Sequence, residues 1–238
     1  MDAFRHETRD SMSMTDPVQI PSGRAIIQAD LTIPLGARGL VVFAHGSGSG
    51  RTSRRNKWVA SELQWGREAT LLVDLLTPAE AVRDERTGEH RFDIQLLARR
   101  VVDVIDWAGR EPALRSLPLG LFGASTGAAA ALFAAARRPD RVKAVVSRGG
   151  RTDLAESVLS LVEVPTVLIV GENDPDVLAL NQRALTQLRG ERMLEIVPGA
   201  SHLFEEPGAL EAVAAIAREW FVKYLGGANG ASASGFGW

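Results

Sequence analysis

Seven short apolar runs, separated by longer stretches of helical periodicity, constrain the fold of this chain more than any other feature of its sequence. "GLVVFAH" (39–45), "TLLVDLL" (70–76), "PLGLFG" (118–123), "VKAVVSRG" (142–149), "TVLIVG" (166–171) and "RMLEIVPG" (192–199) read as strands buried on both faces. "AIIQADLTIP" (25–34) alternates instead, as an early, half-exposed strand does. Between these runs, residues 55–66, 92–109, 126–138, 177–188 and 210–225 carry apolar side chains near three- and four-residue spacing. Parallel strands need crossovers of about this length, and such crossovers are right-handed. The expected fold is therefore α/β, a mostly parallel sheet with helices on both faces. In sheets of this kind the ligand crevice lies at the C-terminal ends of the strands, so chemistry is sought in the loops that follow them.

At 238 residues and 45% hydrophobic content the chain can bury one substantial core, expected over 17–225. A loose N-terminal segment is expected over 1–16, and "GGANGASASGFGW" reads as a flexible Gly/Ser/Ala tail over 226–238. With 27 Lys and Arg against 29 Asp and Glu, the net charge of -2 gives no electrostatic footprint for nucleic acid or an anionic membrane. There is no cysteine, which excludes disulfides, thiolate metal sites and a cysteine nucleophile. The charged N-terminus lacks the apolar core of a signal peptide, and no run reaches the roughly 18 apolar residues that span a bilayer, so a cytoplasmic location is expected.

One junction stands apart from ordinary turns. In "LGLFGASTGAAAALFAAARRPD" (119–140) a strand passes into an alanine-rich helix through Gly123-Ala124-Ser125-Thr126-Gly127, with almost no spacer. The small residues let the backbone take strained angles and let the helix pack closely on the strand. Ser125 would then stand at the strand's C-terminal edge with the helix N-terminus aimed at it, the arrangement of a G-x-S-x-G nucleophile. A plain helix cap is the competing reading of a serine in this position.

A serine hydroxyl needs a base within hydrogen-bond reach and a third group that fixes the base's tautomer. Of the four histidines, His6 falls in the loose N-terminus, His90 in the charged loop "RDERTGEHR", and His45 just before a glycine-rich loop. His202 follows the last strand in "VPGASHLFEEPG", from where it can reach Ser125. The acid is expected after the penultimate strand, where "GENDPDV" offers Glu172, Asp174 and Asp176. Asp174 is preferred, and the order nucleophile, acid, histidine suits this sheet architecture. Acyl transfer also requires two N–H donors at the developing oxyanion. The Thr126 backbone supplies one, and the loop "FAHGSGSGR" supplies the other at Ser47. That loop is not a dinucleotide fingerprint, since Arg51 stands where the third glycine belongs, and no Gly-Lys-Ser/Thr is present for a P-loop.

With these residues assembled, the chain resembles the α/β-hydrolase superfamily, and within it the small dienelactone-hydrolase-like serine hydrolases. The resemblance rests on "HGSGSGR", "GASTGAAAA", "GENDPDV" and "GASHLFEEPG" and covers roughly residues 17 to 225. It implies an eight-stranded, mostly parallel sheet, with Ser125 as nucleophile, His202 as base and Asp174 as its orienting acid. The short stretch between Ser147 and Pro165 leaves no room for a cap domain, which favours small or medium, water-soluble esters. Dienelactone hydrolase itself uses a cysteine nucleophile, and Ser125 departs from that pattern, which counts against dienelactone as the substrate. Lactone or thioester hydrolysis, and a non-catalytic protein that binds a small ligand in the same crevice, are the alternatives. No metal or organic cofactor is needed for the expected reaction, whose partner is a small-molecule ester; the oligomeric state is left open. In "SRGGRTD" (147–153), Arg148 and Arg151 flank two glycines at the same sheet edge and are candidates for binding a substrate carboxylate.

Overall fold

The computed structural model describes residues 14–226, so the expectations for His6, for most of the N-terminal segment and for nearly all of the Gly/Ser/Ala tail fall outside the described residues. Eight strands form one sheet: β1 (Thr15–Ser22), β2 (Ala25–Thr32), β3 (Gly39–Ala44), β4 (Glu68–Val73), β5 (Leu119–Ala124), β6 (Val142–Arg148), β7 (Thr166–Gly171) and β8 (Arg192–Val197). Their spatial order is β1-β2-β4-β3-β5-β6-β7-β8. The β1–β2 and β2–β4 pairs are antiparallel and every other pair is parallel, which is the expected α/β sheet.

The helices are α1 (Arg54–Trp65), α2 (Pro78–Thr87), α3 (Ile94–Ala108), α4 (Thr126–Arg137), α5 (Glu156–Leu159), α6 (Pro175–Gln187) and α7 (Ala209–Leu225). Two apolar layers result, as the periodicity of the longer helices requires. On one face Leu97, Val101 and Ile105 of α3 and the alanine stretch of α4 pack with Val42, Leu71 and Leu121 of the sheet. On the other, Val59 and Leu63 of α1 and Val213, Ala217 and Phe221 of α7 pack with Val41, Phe43 and Phe122. The stretch between β6 and β7 holds only a short 3-10 turn and the four-residue α5, so there is no cap domain.

Three elements differ from the sequence reading. β1 starts at Thr15, two residues before the expected domain boundary; its Pro17 and Pro21 disguise it, and both are tolerated because it is an edge strand. β8, expected to be buried on both faces, is the opposite edge strand, and Met193 and Ile196 are exposed. α2 was hidden by its charge. Asp84 is its one buried residue, so no apolar stripe announces it. The legible signal was Thr77-Pro78-Ala79-Glu80, a capping box with proline at the first helical position, and both reciprocal hydrogen bonds of the box are present.

Chain order reverses at β3, whose neighbours are β4 and β5, and the loop after β3 therefore faces the β5–α4 junction. The opposite, N-terminal end of the sheet holds a carboxyl of another kind. Glu68 opens β4 opposite Gly39, is 1% exposed, and neither carboxyl oxygen has a hydrogen-bond partner among the described residues. Burial pushes its pKa up to about 7, against a smaller opposing influence from Arg38. Because the folded value lies above the ordinary 4.5, this group's contribution to stability is intact below about pH 4.5 and is lost as pH rises through 7. Glu68→Gln should therefore raise stability by about 3 kcal/mol at pH 8 and by little at pH 4.5, as read from urea denaturation midpoints at the two pH values. An equal effect at both would show that Glu68 is not protonated in the fold.

Candidate active site

Ser125 stands at the β5–α4 bend, with φ 50° and ψ −119°. A non-glycine residue at positive φ is strained, and this one is held there by close packing on both sides. A Cβ on Gly123 would lie 2.4 Å from Ala128 Cα, and one on Gly127 2.2 Å from the Ala44 carbonyl oxygen, so neither position can carry a side chain without moving backbone. Ser125 is the N-cap of α4 by position, yet its side chain makes no capping hydrogen bond. That separates the two sequence readings: the hydroxyl is left free of the helix.

His202 and Asp174 meet at the same edge. His202 Nδ1 and Asp174 Oδ2 are 2.6 Å apart, with the carboxylate only 14% exposed. Asp174 is the N-cap of α6, but its side chain caps nothing there, so the carboxylate is free to hold the imidazole. Of the other acids weighed, Glu172 accepts the Gly199 N–H and Asp176 is exposed in the first turn of α6. With Nδ1–H given to Asp174, Nε2 is the basic nitrogen. The loop that follows β6 links this pair to the serine. Ser125 N–H donates to the Arg148 carbonyl, Arg151 N–H donates to the Ser125 carbonyl, and a Cβ on Gly149 would lie 3.3 Å from His202 Cε1.

The glycine loop after β3 lies against Ser125 and the first residue of α4. Ser47 Oγ and Thr126 Oγ1 are 3.1 Å apart, and a Cβ on Gly46 would touch Ser125 Cβ at 3.0 Å. Thr126 is the first residue of α4, so its N–H has no carbonyl four residues earlier within the helix. His45, which sequence reasoning tied only to the loop, anchors it. Its Nε2 accepts the Leu75 N–H at 2.8 Å, so the ring proton sits on Nδ1, which donates to the Gly46 carbonyl at 2.9 Å. Burial also lowers the His45 pKa, and the ring is a neutral strut between the ends of β3 and β4.

Beside Ser47 and Thr126 opens a pocket of about 350 Å³, with Leu76, Pro78, Ala81 and Leu97 as its apolar wall. α2 builds much of that wall, and sequence reasoning missed it. The helix is pinned at both ends by ion pairs. Buried Arg100 reaches both Glu80 oxygens, at 2.6 and 2.7 Å, and Arg91 Nε reaches Asp84 Oδ2 at 2.8 Å. Partial burial opposes ionisation of Glu80, but the hydrogen bonds from Arg100 and Thr77 outweigh it and hold the carboxyl at about 2.

The two arginines at the end of β6 have different surroundings. Arg151 is engaged by Asp153 through two hydrogen bonds, at 2.8 and 2.7 Å, so its fork is occupied. Arg148 is buried over the Phe122 ring, and its Nη1 has no hydrogen-bond partner among the described residues; burial, with the charge of Arg55, pushes its pKa down to about 10. Among the described residues no group of three or more His, Asp or Glu side chains is placed to hold a metal ion, and no helix is long and apolar enough to cross a membrane.

Comparison with known proteins places this geometry in a family. A dienelactone hydrolase from Anabaena variabilis is 54% identical, covers 90% of this chain with 99% of its own, and superposes with a TM-score of 0.89. The chain belongs to the dienelactone-hydrolase-like α/β-hydrolases. More distantly, Est1E from Butyrivibrio proteoclasticus, 17% identical over 90% of this chain and 98% of its own, shares the fold with a TM-score of 0.71. No family model matches. Two curated relatives from Mycobacterium tuberculosis, each provisionally named a phosphoribosyl transferase, are 54% identical over 212 residues, which are 89% of this chain and 47% of theirs. The chain thus spans about half the length of the curated relatives it matches.

Proposed function

We propose that this protein is a serine hydrolase that cleaves carboxylic esters of small or medium, water-soluble substrates through an acyl-enzyme intermediate. The observation that carries the reading is a strained, uncapped Ser125 at the same sheet edge as an Asp174-bound His202. His202 Nε2 takes the Ser125 proton as Oγ attacks the ester carbonyl, and Asp174 stabilises the resulting imidazolium. The Ser47 and Thr126 N–H groups receive the oxyanion. Collapse of the tetrahedral intermediate breaks the C–O bond, and His202 returns its proton to the departing alcohol. Water then attacks the acyl carbon with His202 again as base, releasing the acid and restoring the Ser125 hydroxyl.

The pocket of about 350 Å³ lined by Ser47 and by Thr126, the residue after Ser125, suits a short acyl or alcohol group rather than a long lipid chain. Membership of the family makes lactones and thioesters natural members of any substrate panel. The phosphoribosyl transferase name belongs to proteins of which this chain matches about half, and the Ser125 constellation is suited to acyl transfer. A fluorophosphonate probe provides the test. The wild-type protein should label covalently at one site, Ser125→Ala should not label, and both should hold the same melting temperature. Absence of labelling in the folded wild type would favour a ligand-binding member of the fold.

A further inference from the structure

The 350 Å³ cavity lies on one side of β5 and the base lies on the other. Across the sheet the order is β4-β3-β5-β6-β7-β8. Gly46 and Ser47 after β3, Leu76 after β4, Ala81 of α2 and Leu97 of α3 line the cavity, and no described residue of β6, β7, β8 or the loops after them does. Asp174 and His202 follow β7 and β8, and His202 packs on Gly149, which follows β6. The cavity still adjoins the serine. Thr126, which follows Ser125 directly, lines it, and a Cβ on Gly46 would lie 3.0 Å from Ser125 Cβ.

Most charged groups that line the cavity are already paired. Asp74 accepts the Arg51 backbone N–H at 2.7 Å and its Nε at 3.0 Å. Asp84 accepts the backbone N–H groups of His90 and Arg91 and the Arg91 guanidinium. What is left to meet a ligand is the apolar wall of Leu76, Pro78, Ala81 and Leu97, with the exposed carboxylate of Glu85 also bordering the cavity. Such a surface takes aliphatic carbon and disfavours a buried anion.

We infer that this cavity holds the acyl group of the ester, as an uncharged aliphatic chain, and that Ala81 limits its length. The alcohol belongs on the other side, because its oxygen receives a proton from His202 Nε2 and so stays towards β6–β8. The carbonyl oxygen turns to the Ser47 and Thr126 N–H groups. The one substituent of the tetrahedral carbon left to place is the acyl chain, and the cavity lined by those same two residues is what it meets. Ala81 sets the limit because α2 is held against a longer chain, by Arg100 at Glu80 and by Arg91 at Asp84. That the acyl group rather than the alcohol enters rests on the hydrolase reading; that the cavity takes an aliphatic chain does not.

The test sets an acyl series, p-nitrophenyl acetate, butyrate, hexanoate and dodecanoate, against an alcohol series of ethyl, butyl and hexyl acetates, all on the full chain. Each methylene buried should raise kcat/KM about three- to fourfold, so the wild type should gain about tenfold from acetate to butyrate and stop gaining before dodecanoate. Ala81→Leu should lower the hexanoate-to-acetate ratio by about tenfold or more, and Leu76→Ala should raise dodecanoate relative to hexanoate. The hexyl-to-ethyl acetate ratio should stay the same in both. Leucine is a good helix former, so α2 should survive Ala81→Leu, and Leu76→Ala repeats the test with the opposite sign should that variant misfold. Saturation-transfer NMR of ethyl hexanoate on Ser125→Ala reads occupancy without turnover. The acyl methyl protons should be saturated more than the ethyl protons, and adding Ala81→Leu should remove the difference. If the wild type turns over no ester, the hydrolase reading falls and the NMR result still decides who occupies the cavity. Acyl ratios unchanged in both variants, an alcohol ratio that moves in their place, or stronger saturation of the ethyl protons would each overturn the inference.

Discussion

Ser125→Ala and His202→Ala are each expected to lower kcat/KM for a small ester by a similar factor, on the order of 10⁴ to 10⁶, and the double variant should be little worse than either. The reason is that neither group works alone. Without His202 the hydroxyl keeps its proton at neutral pH, and without the hydroxyl the imidazole has only water to activate. What survives in each variant is the contribution of binding and of the Ser47 and Thr126 N–H groups, which is common to all three. Ser125→Ala also isolates the role of the strained backbone. The φ of 50° is imposed by Gly123 and Gly127, whose neighbours leave no room for a Cβ, so alanine should be held in the same strained geometry and global stability should change little. Additive losses in the double variant, or near-wild-type turnover by Ser125→Ala, would mean that the two residues do not act as one unit.

How far the sequence disclosed this site depends on what kind of constraint each part answers to. Ser125 was legible because a close strand-to-helix approach demands small residues at fixed offsets, and Gly123, Ala124 and Gly127 supply them in five consecutive positions. Asp174 and His202 were legible because a parallel sheet brings the loops after β7 and β8 to the same edge as the loop after β5. The wall of the pocket was not, since α2 is held by ion pairs and a capping box rather than by an apolar stripe, and hydrophobic periodicity is blind to that. The different surroundings of Arg148 and Arg151 were beyond reach for a similar reason. Both sit beside glycines in one short loop, and only the folded chain reveals that Asp153 occupies one fork while burial leaves a donor of the other unmatched.

Asp174→Asn should cut kcat by about 10⁴-fold with no loss of fold, and Asp176→Asn should be mild. The Asp174 side chain makes no capping hydrogen bond, so the substitution removes none and the start of α6 keeps its geometry. The change falls on the proton of His202. The carboxylate at 2.6 Å accepts Nδ1–H and so keeps Nε2 free to receive the proton of Ser125. An amide at the same place can turn its NH₂ towards Nδ1, which moves the ring proton to Nε2 and removes the base from the reaction. Asp176, two residues on and exposed in the first turn of the helix, contributes at most a helix-dipole interaction of about 0.3–1 kcal/mol to stability and nothing to the imidazole. Rates on one p-nitrophenyl ester, with melting temperatures alongside, are enough to rank the two variants. The opposite ranking would move the orienting acid to Asp176, and equal small losses would leave His202 without a partner that matters to the rate.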